Sequence, residues 1–188
     1  MAYREKMPSA AIVIADGFTD AEFLVAYHMF KAECFDVEVY SLNGGSVTGV
    51  CGWVHKKSNT ILDSYEEFYS RYNLLALVGG VKAIEKLRLC APLIKWIRSH
   101  DAAGKAIATI CHGAQLLIEA DIVRGRRVLG YYSIKKDLQN AGAIWPESQE
   151  VCADGNIVSC THYDFTGEWM REALWVWADR KLFPIVED

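Results

Sequence analysis

Neither GxGxxG nor GxxxxGK[ST] occurs in this sequence, so it has no glycine-rich cradle for the phosphates of a nucleotide, and no cofactor is expected. No CxxC pair occurs either. Cys160-x-His162 alone falls short of the four ligands, or three plus water, that zinc requires, so no metal is expected. An excess of positive charge is also missing, with a net charge of -4 and a pI near 5.7. The short basic clusters His55-Lys56-Lys57 and Arg124-Gly125-Arg126-Arg127 read as solvated faces or turns, which argues against a nucleic-acid partner. No apolar run approaches the roughly 20 residues of a membrane span. The segment Met1 to Met7 is polar and lacks an apolar signal core, so a cytoplasmic location is expected.

Proline is scarce, and its 4 occurrences are too scattered to mark a linker. With 188 residues and 52% hydrophobic content, the chain has material for one substantial core and little for two, so residues 1–188 are read as a single domain. The 6 cysteines, Cys34, Cys51, Cys90, Cys111, Cys152 and Cys160, are dispersed through a chain with ample core, which favours free thiols over a disulfide framework.

What is present is an alternation of apolar strands with helical stripes. Ala10 to Ala15, Phe35 to Ser41, Leu74 to Val78 and Ala106 to Ile110 are apolar nearly throughout, as strands covered on both faces must be. Between them, Phe23, Leu24, Tyr27 and Phe30 fall on one helical stripe, and Leu93, Ile94 and Ile97 on another. This order predicts an α/β fold with a mostly parallel central sheet and helices on both sides. Asn43-Gly44-Gly45, Ser46 to Val50 and Trp53 to His55 predict a small β-hairpin appendage. Ala143 to Trp145, Glu150 to Cys152 and Ile157 to Cys160 are short strand candidates, with Asp154-Gly155-Asn156 as a turn and a final helix from about Phe165.

In such sheets ligands bind outside the C-terminal ends of the strands. Asp16 to Glu22, Gly79 to Glu85 and Cys111-His112 all lie at that edge. Cys111 ends a buried strand just before a helix, where a helix N-terminus is expected to lower the thiol pKa toward neutrality. Glu22 stands three residues after Thr19. It is either the return half of a capping box or a partly desolvated, protonated carboxyl bonded to the Cys111 sulfur. Gly79-Gly80 is either an ordinary tight turn or a place where the Gly80 and His112 amides bind an oxyanion. His112 adjoins the candidate nucleophile, and its use as a base requires an orienting carboxylate. Glu85, expected in the first turn of its helix, is either that group or a residue favoured there by the helix dipole. His162, with Tyr163 beside it, follows the last strand candidate and is expected to reach the crevice mouth.

With these residues assembled, the chain resembles the ThiJ/PfpI superfamily, also called the DJ-one superfamily, and within it the PfpI-like branch. The resemblance runs from Ala10 to about Trp177 and rests on four motifs. These are Gly17-Phe18-Thr19-Asp20-Ala21-Glu22, the Gly79-Gly80 turn, Cys111-His112-Gly113 running on to Gln115-Leu116-Leu117-Ile118, and Ile134-Lys135-Lys136-Asp137 with Asn140-Ala141-Gly142. It implies a flavodoxin-like three-layer sandwich, akin to class I glutamine amidotransferase domains, with Cys111 as nucleophile on a strained elbow and Glu22 as its carboxyl partner. It further implies a homodimer or larger homo-oligomer, in whose peptidase-like members Glu85 from a neighbouring subunit completes a Cys111-His112-Glu85 triad.

The activities implied are cofactor-independent glyoxalase-like action on a small electrophilic carbonyl substrate, cysteine peptidase or amidase action, hydration of small electrophiles such as isonitriles, or non-catalytic thiol sensing. The chain departs from the pattern in a longer Gly80 to Glu85 loop, in Ala114 where the branch often has proline, and in bulk added by Trp53, Cys51, His162 and Tyr163. The cysteine enzyme acting on a carbonyl is the leading expectation.

Overall fold

The computed structural model describes residues 7–61 and 71–182. Its elements alternate as the apolar segments require: β1 (Ser9–Val13), α1 (Asp20–Ala32), β2 (Asp36–Ser41), β3 (Gly45–Thr48), β4 (Val54–Thr60), β5 (Leu74–Leu77), α2 (Val81–Leu87), α3 (Ala91–Ala102) and β6 (Ala106–Ile110) come first. A 3-10 turn at Cys111–Gly113 leads into α4 (Ala114–Glu119). After it come α5 (Lys135–Asn140), β7 (Val151–Asp154), β8 (Ile157–Cys160) and α6 (Thr166–Leu182).

These strands form one eight-stranded sheet in the order β3-β4-β2-β1-β5-β6-β8-β7. Pairing is parallel throughout the centre and antiparallel only at the two ends, β3 with β4 and β7 with β8. Helices α1 and α6 cover one face of the sheet, and α2, α3 and α4 pack together on the other. Every residue of β5 and of β6 is buried as a result, which is why both read as unbroken apolar runs. The flavodoxin-like sandwich is the fold the chain adopts.

The expected hairpin is present and is joined to the sheet edge, because β4 runs parallel to β2 with Tyr40 opposite Asn59 and Ser41 opposite Thr60. One expected strand is absent. Ala143 to Trp145 contributes only an isolated bridge from Ile144 to Arg127, since the residues around it lie in turns with no neighbouring strand to pair with. The remaining boundaries differ by a residue or two; the strand expected at Glu150 to Cys152, for example, runs Val151–Asp154.

Strand order fixes where a ligand can sit. Strands β1, β5 and β6 are adjacent, so the loops leaving their C-terminal ends converge, bringing Asp16–Thr19, Gly79–Gly80 and Cys111 to one crevice. The direction of winding reverses between β1 and β5, which opens that crevice.

Candidate active site

Cys111 leaves β6 with a φ of 57°, the left-handed region that costs a residue with a Cβ about 1–2 kcal/mol. The preceding Ile110 is still extended, so the chain reverses its twist within one residue and turns the thiol out of the strand into the crevice. Surrounding contacts hold this conformation. The Tyr131 N–H donates to the Cys111 carbonyl at 3.0 Å. A Cβ on Gly113 would lie 2.5 Å from the Leu77 carbonyl oxygen, and one on Gly79 would lie 2.9 Å from Cys111 Cβ. Only hydrogen fits at these positions, so the elbow is packed tightly against β5.

The capping box expected at the start of α1 does not form. Thr19 occupies the N-cap, but its side chain makes no capping hydrogen bond there, and its N–H donates to the Gly79 carbonyl at 3.3 Å. Glu22 therefore has no cap N–H to receive. Its Oε2 accepts the Gly79 N–H at 2.7 Å, while Oε1 is buried without a hydrogen-bond partner among the described residues. Gly79 thus ties the β1–α1 loop to β5 through both of its backbone groups. The carboxyl is completely buried.

Burial sets the charges. Desolvation pushes the Glu22 carboxyl from its usual 4.5 up to about 8 against the pull of Gly79, Cys111 and Thr19, so it carries a proton at neutral pH. The Cys111 thiol is also pushed up, first by desolvation and then by the charged form of Glu22, with the His112 and Gly80 amides acting on it in the opposite direction. This corrects the expectation of a lowered thiol pKa. The helix beyond the elbow is only 6 residues long, and its end dipole does not offset the loss of water around the sulfur. Burial thus favours the protonated form of each group.

His112 lies directly against the sulfur, with Nδ1 3.3 Å from Cys111 Sγ. Burial lowers its pKa, partly countered by the charge of Glu85, so the imidazole is neutral and able to take a proton. Its other nitrogen is 3.5 Å from Ser133 Oγ, and its ring stacks on Tyr131 at 5.0 Å. Glu85 is not in the first turn of its helix. That turn holds no acidic residue, so the dipole explanation for Glu85 falls away. Its side chain is 63% exposed, and its Oε1 pairs with Arg88 at 3.3 Å rather than with His112. Within one chain, Cys111, His112, Glu22, Gly79 and Gly80 come together, and Glu85 stays outside.

His162 and Tyr163 follow β8, the neighbour of β6, with ring centroids 3.8 Å apart. Tyr131 and Ser133 were missed by sequence reasoning. Their only signal is Gly130, where a Cβ would lie 3.0 Å from Ala114 Cβ and 3.1 Å from the Cys111 carbonyl, a proximity that sequence spacing does not reveal. Asp20 was missed as well. Buried at the start of α1, it accepts the Cys51 and Trp53 N–H groups at 2.8 Å each and pins the hairpin tip beside the crevice. A polar cavity of about 580 Å³ lined by Glu38, Tyr40, Asn59, Arg71 and others lies on the β2–β4 flank and includes none of the crevice residues.

The chain is similar to known proteins over most of its length. A family model described as the DJ-1/PfpI family matches residues 8–175. Deglycase PfpI of Pyrococcus furiosus is 37% identical over 158 residues, spanning 84% of this chain and 92% of that protein. The putative cysteine protease YraA of Bacillus subtilis is 31% identical over 165 residues, spanning 87% of this chain and 95% of its own length. Among solved structures, Drosophila melanogaster DJ-1beta superimposes with a TM-score of 0.82 at 20% identity, covering 97% of this chain and 100% of that one, a likeness of fold alone.

Proposed function

The chain belongs to the DJ-1/PfpI family, and from that premise we propose that it is a cofactor-independent cysteine enzyme acting on a small electrophilic carbonyl compound, with glyoxalase-like chemistry. The observation that carries this reading is the buried, neutral Glu22 carboxyl beside a thiol held on a left-handed elbow. An acid that is protonated at rest and has one unpartnered oxygen suits a group that gives up a proton and recovers it within one turnover.

The steps follow from the positions of the groups on a 2-oxoaldehyde. As Sγ forms its bond to the aldehyde carbon, His112 Nδ1 takes the thiol proton. The carbonyl electron pair moves to oxygen, which takes the Glu22 proton, while the Gly80 and His112 amides stabilise the developing negative charge. Glu22, now a carboxylate, removes the hydrogen on the former aldehyde carbon as the neighbouring carbonyl oxygen takes the proton held by His112, which gives an enediol. Glu22 then delivers its proton to the adjacent carbon and, a carboxylate once more, takes the hydroxyl proton from the sulfur-bearing carbon as that C–O bond becomes a carbonyl, so both Glu22 and His112 return to their starting forms. The resulting thioester is hydrolysed by water, which releases a hydroxy acid and regenerates the thiol. No external oxidant or reductant is needed, because one carbon is oxidised as its neighbour is reduced.

The test is turnover of glyoxal by Cys111→Ser and Glu22→Gln, both expected to be inactive with the fold retained by circular dichroism. Full activity in either variant contradicts the mechanism.

The second reading is peptidase or amidase action with His112 as base and Glu85 supplied by a neighbouring subunit of a homo-oligomer. The relative named as a putative cysteine protease and the charge of Glu85 felt at His112 support it. The pairing of Glu85 with Arg88 counts against it within one chain. Glu85→Gln separates the two: peptide hydrolysis requires that carboxylate to orient His112 and should be lost, whereas aldehyde turnover should persist, because Glu85 pairs with Arg88 and not with His112 within one chain.

A further inference from the structure

To take the thiol proton, His112 must hold a lone pair on Nδ1, and some group must keep the imidazole in that form. Glu85 does not, since within one chain it pairs with Arg88. The other ring nitrogen faces Ser133. Its Oγ lies 3.5 Å from Nε2, while Nδ1 lies 3.3 Å from Cys111 Sγ, so the imidazole bridges the thiol and the hydroxyl.

The residues on either side of Ser133 are anchored. The Tyr131 N–H donates to the Cys111 carbonyl at 3.0 Å, and the Tyr131 ring stacks on His112 with the two planes 25° apart. The Tyr132 hydroxyl donates to Glu150 Oε2 at 2.9 Å, and the Thr161 hydroxyl, just past the end of β8, donates to the same oxygen. The Ile134 side chain is buried, and its N–H returns to the Tyr131 carbonyl at 2.9 Å. Ser133 itself is exposed, yet backbone held from both sides presents its hydroxyl to His112.

Proton positions follow from these partners. The Cys111 sulfur already faces the Gly80 and His112 amides as an acceptor, and burial favours its protonated form. Its S–H is therefore the donor to Nδ1, a far better acceptor than sulfur. A neutral imidazole has one N–H, which then lies on Nε2 and is received by Ser133 Oγ, while the exposed hydroxyl turns its own hydrogen to water. When Cys111 attacks, the S–H bond breaks and an Nδ1–H bond forms. The hydrogen on Nε2 stays in place, but its ring is now a cation, and a hydrogen bond from a cation is roughly twice as strong as a neutral one. Ser133 thus stabilises the imidazolium more than the resting ring, and a contact that is long at rest tightens as the charge develops.

We propose that Ser133 is the positioning residue for His112, holding Nε2–H on its hydroxyl so that Nδ1 faces Cys111 as a base. The Cys111-His112 pair is thereby completed within one chain, without a carboxylate from a neighbouring subunit. This deepens the reading given above and rests on Cys111 and His112 acting as the pair described there. The titratable groups facing the imidazole are the Cys111 thiol and Tyr131, with Glu85 of α2 acting on it through its charge.

The experiment reads the His112 ring nitrogens by long-range proton–nitrogen correlation NMR of the full chain, the signal being assigned by its loss in His112→Asn. Near pH 7 the hydrogen should sit on Nε2. In Ser133→Ala the ring should titrate roughly half to one pH unit lower, because the cation loses its acceptor, and iodoacetamide should label Cys111 roughly three- to tenfold more slowly by peptide mapping. Ser133→Thr keeps the hydroxyl and should restore both, and Glu85→Gln should keep the wild-type tautomer. A hydrogen on Nδ1 in wild type, unchanged titration and labelling in Ser133→Ala, a loss that Ser133→Thr does not restore, or a tautomer that changes in Glu85→Gln overturns the assignment. None of these readings needs turnover, so glyoxal turnover measured in parallel tests the proposed reaction separately.

Discussion

Replacing Glu22 by glutamine removes the titration of the one carboxyl on which the chemistry turns, and the structure sets both the sign and the size of the effect on stability. In the folded protein this group is raised from 4.5 to about 8, so between those values the folded chain holds a proton that the unfolded chain has lost. Stability contributed by such a group is complete below the unfolded value and declines as pH rises, levelling off beyond the folded one. The slope is about 1.4 kcal/mol per pH unit, so wild type should be roughly 3 kcal/mol less stable at pH 7 than at pH 4 from Glu22 alone. Glutamine has the same shape and does not titrate. Urea unfolding of wild type and Glu22→Gln from pH 4 to 9 isolates the effect, because other titrating groups largely cancel in the difference. The variant should gain on wild type steadily up to about pH 8 and then run parallel to it. A difference that stays constant with pH, or that slopes in wild type's favour, refutes the claim of a buried neutral acid.

Three further outcomes follow from the geometry. His100 is fully buried with neither ring nitrogen hydrogen-bonded among the described residues, and its pKa is lowered to about 3. The unfolded chain therefore binds a proton that the folded chain refuses between pH 6.5 and 3; acid unfolding should show a loss of about 1.4 kcal/mol per unit across that window, and His100→Leu should remove it. Asp20→Ala strips the acceptor from the Cys51 and Trp53 amides, which should cost about 1–3 kcal/mol and speed hydrogen exchange at those two amides, with Asp20→Asn intermediate. Gly113→Ala forces a methyl group to within 2.5 Å of the Leu77 carbonyl and should lower stability by about 2–3 kcal/mol in thermal unfolding, whereas unchanged stability would show that the elbow is loosely packed.

The central strands were legible in the sequence because burial on both faces leaves an apolar run with almost no polar interruption, as Ala106 to Ile110 shows. The crevice was legible for a related reason, since parallel strands must deliver their following loops to one edge. Short range misled at two places. Thr19 and Glu22 have the spacing of a capping box, yet Gly79, distant in sequence, accepts the Thr19 N–H and donates to the Glu22 carboxyl, the two groups that the box would have paired with each other. Cys111 has the position of an activated thiol at a helix start, but desolvation by the surrounding layers outweighs the dipole, and burial is not written in a local motif.

Tyr131 and Ser133 belong to the site because the chain returns from α4 to hydrogen-bond the Cys111 carbonyl, a contact that no periodicity announces. Single-strand candidates such as Ala143 to Trp145 fail for the complementary reason: apolar residues form a strand only where a partner strand is available.

The chemistry is tested most directly by quenching the protein with acid during turnover of a 2-oxoaldehyde and mapping the modified residue by mass spectrometry, in wild type and in Glu22→Gln. A substrate-derived adduct on Cys111 in both proteins, discharged to hydroxy acid only when Glu22 is present, is the expected result. Product formation with Cys111 unmodified, or undiminished product formation by Cys111→Ser, would contradict it.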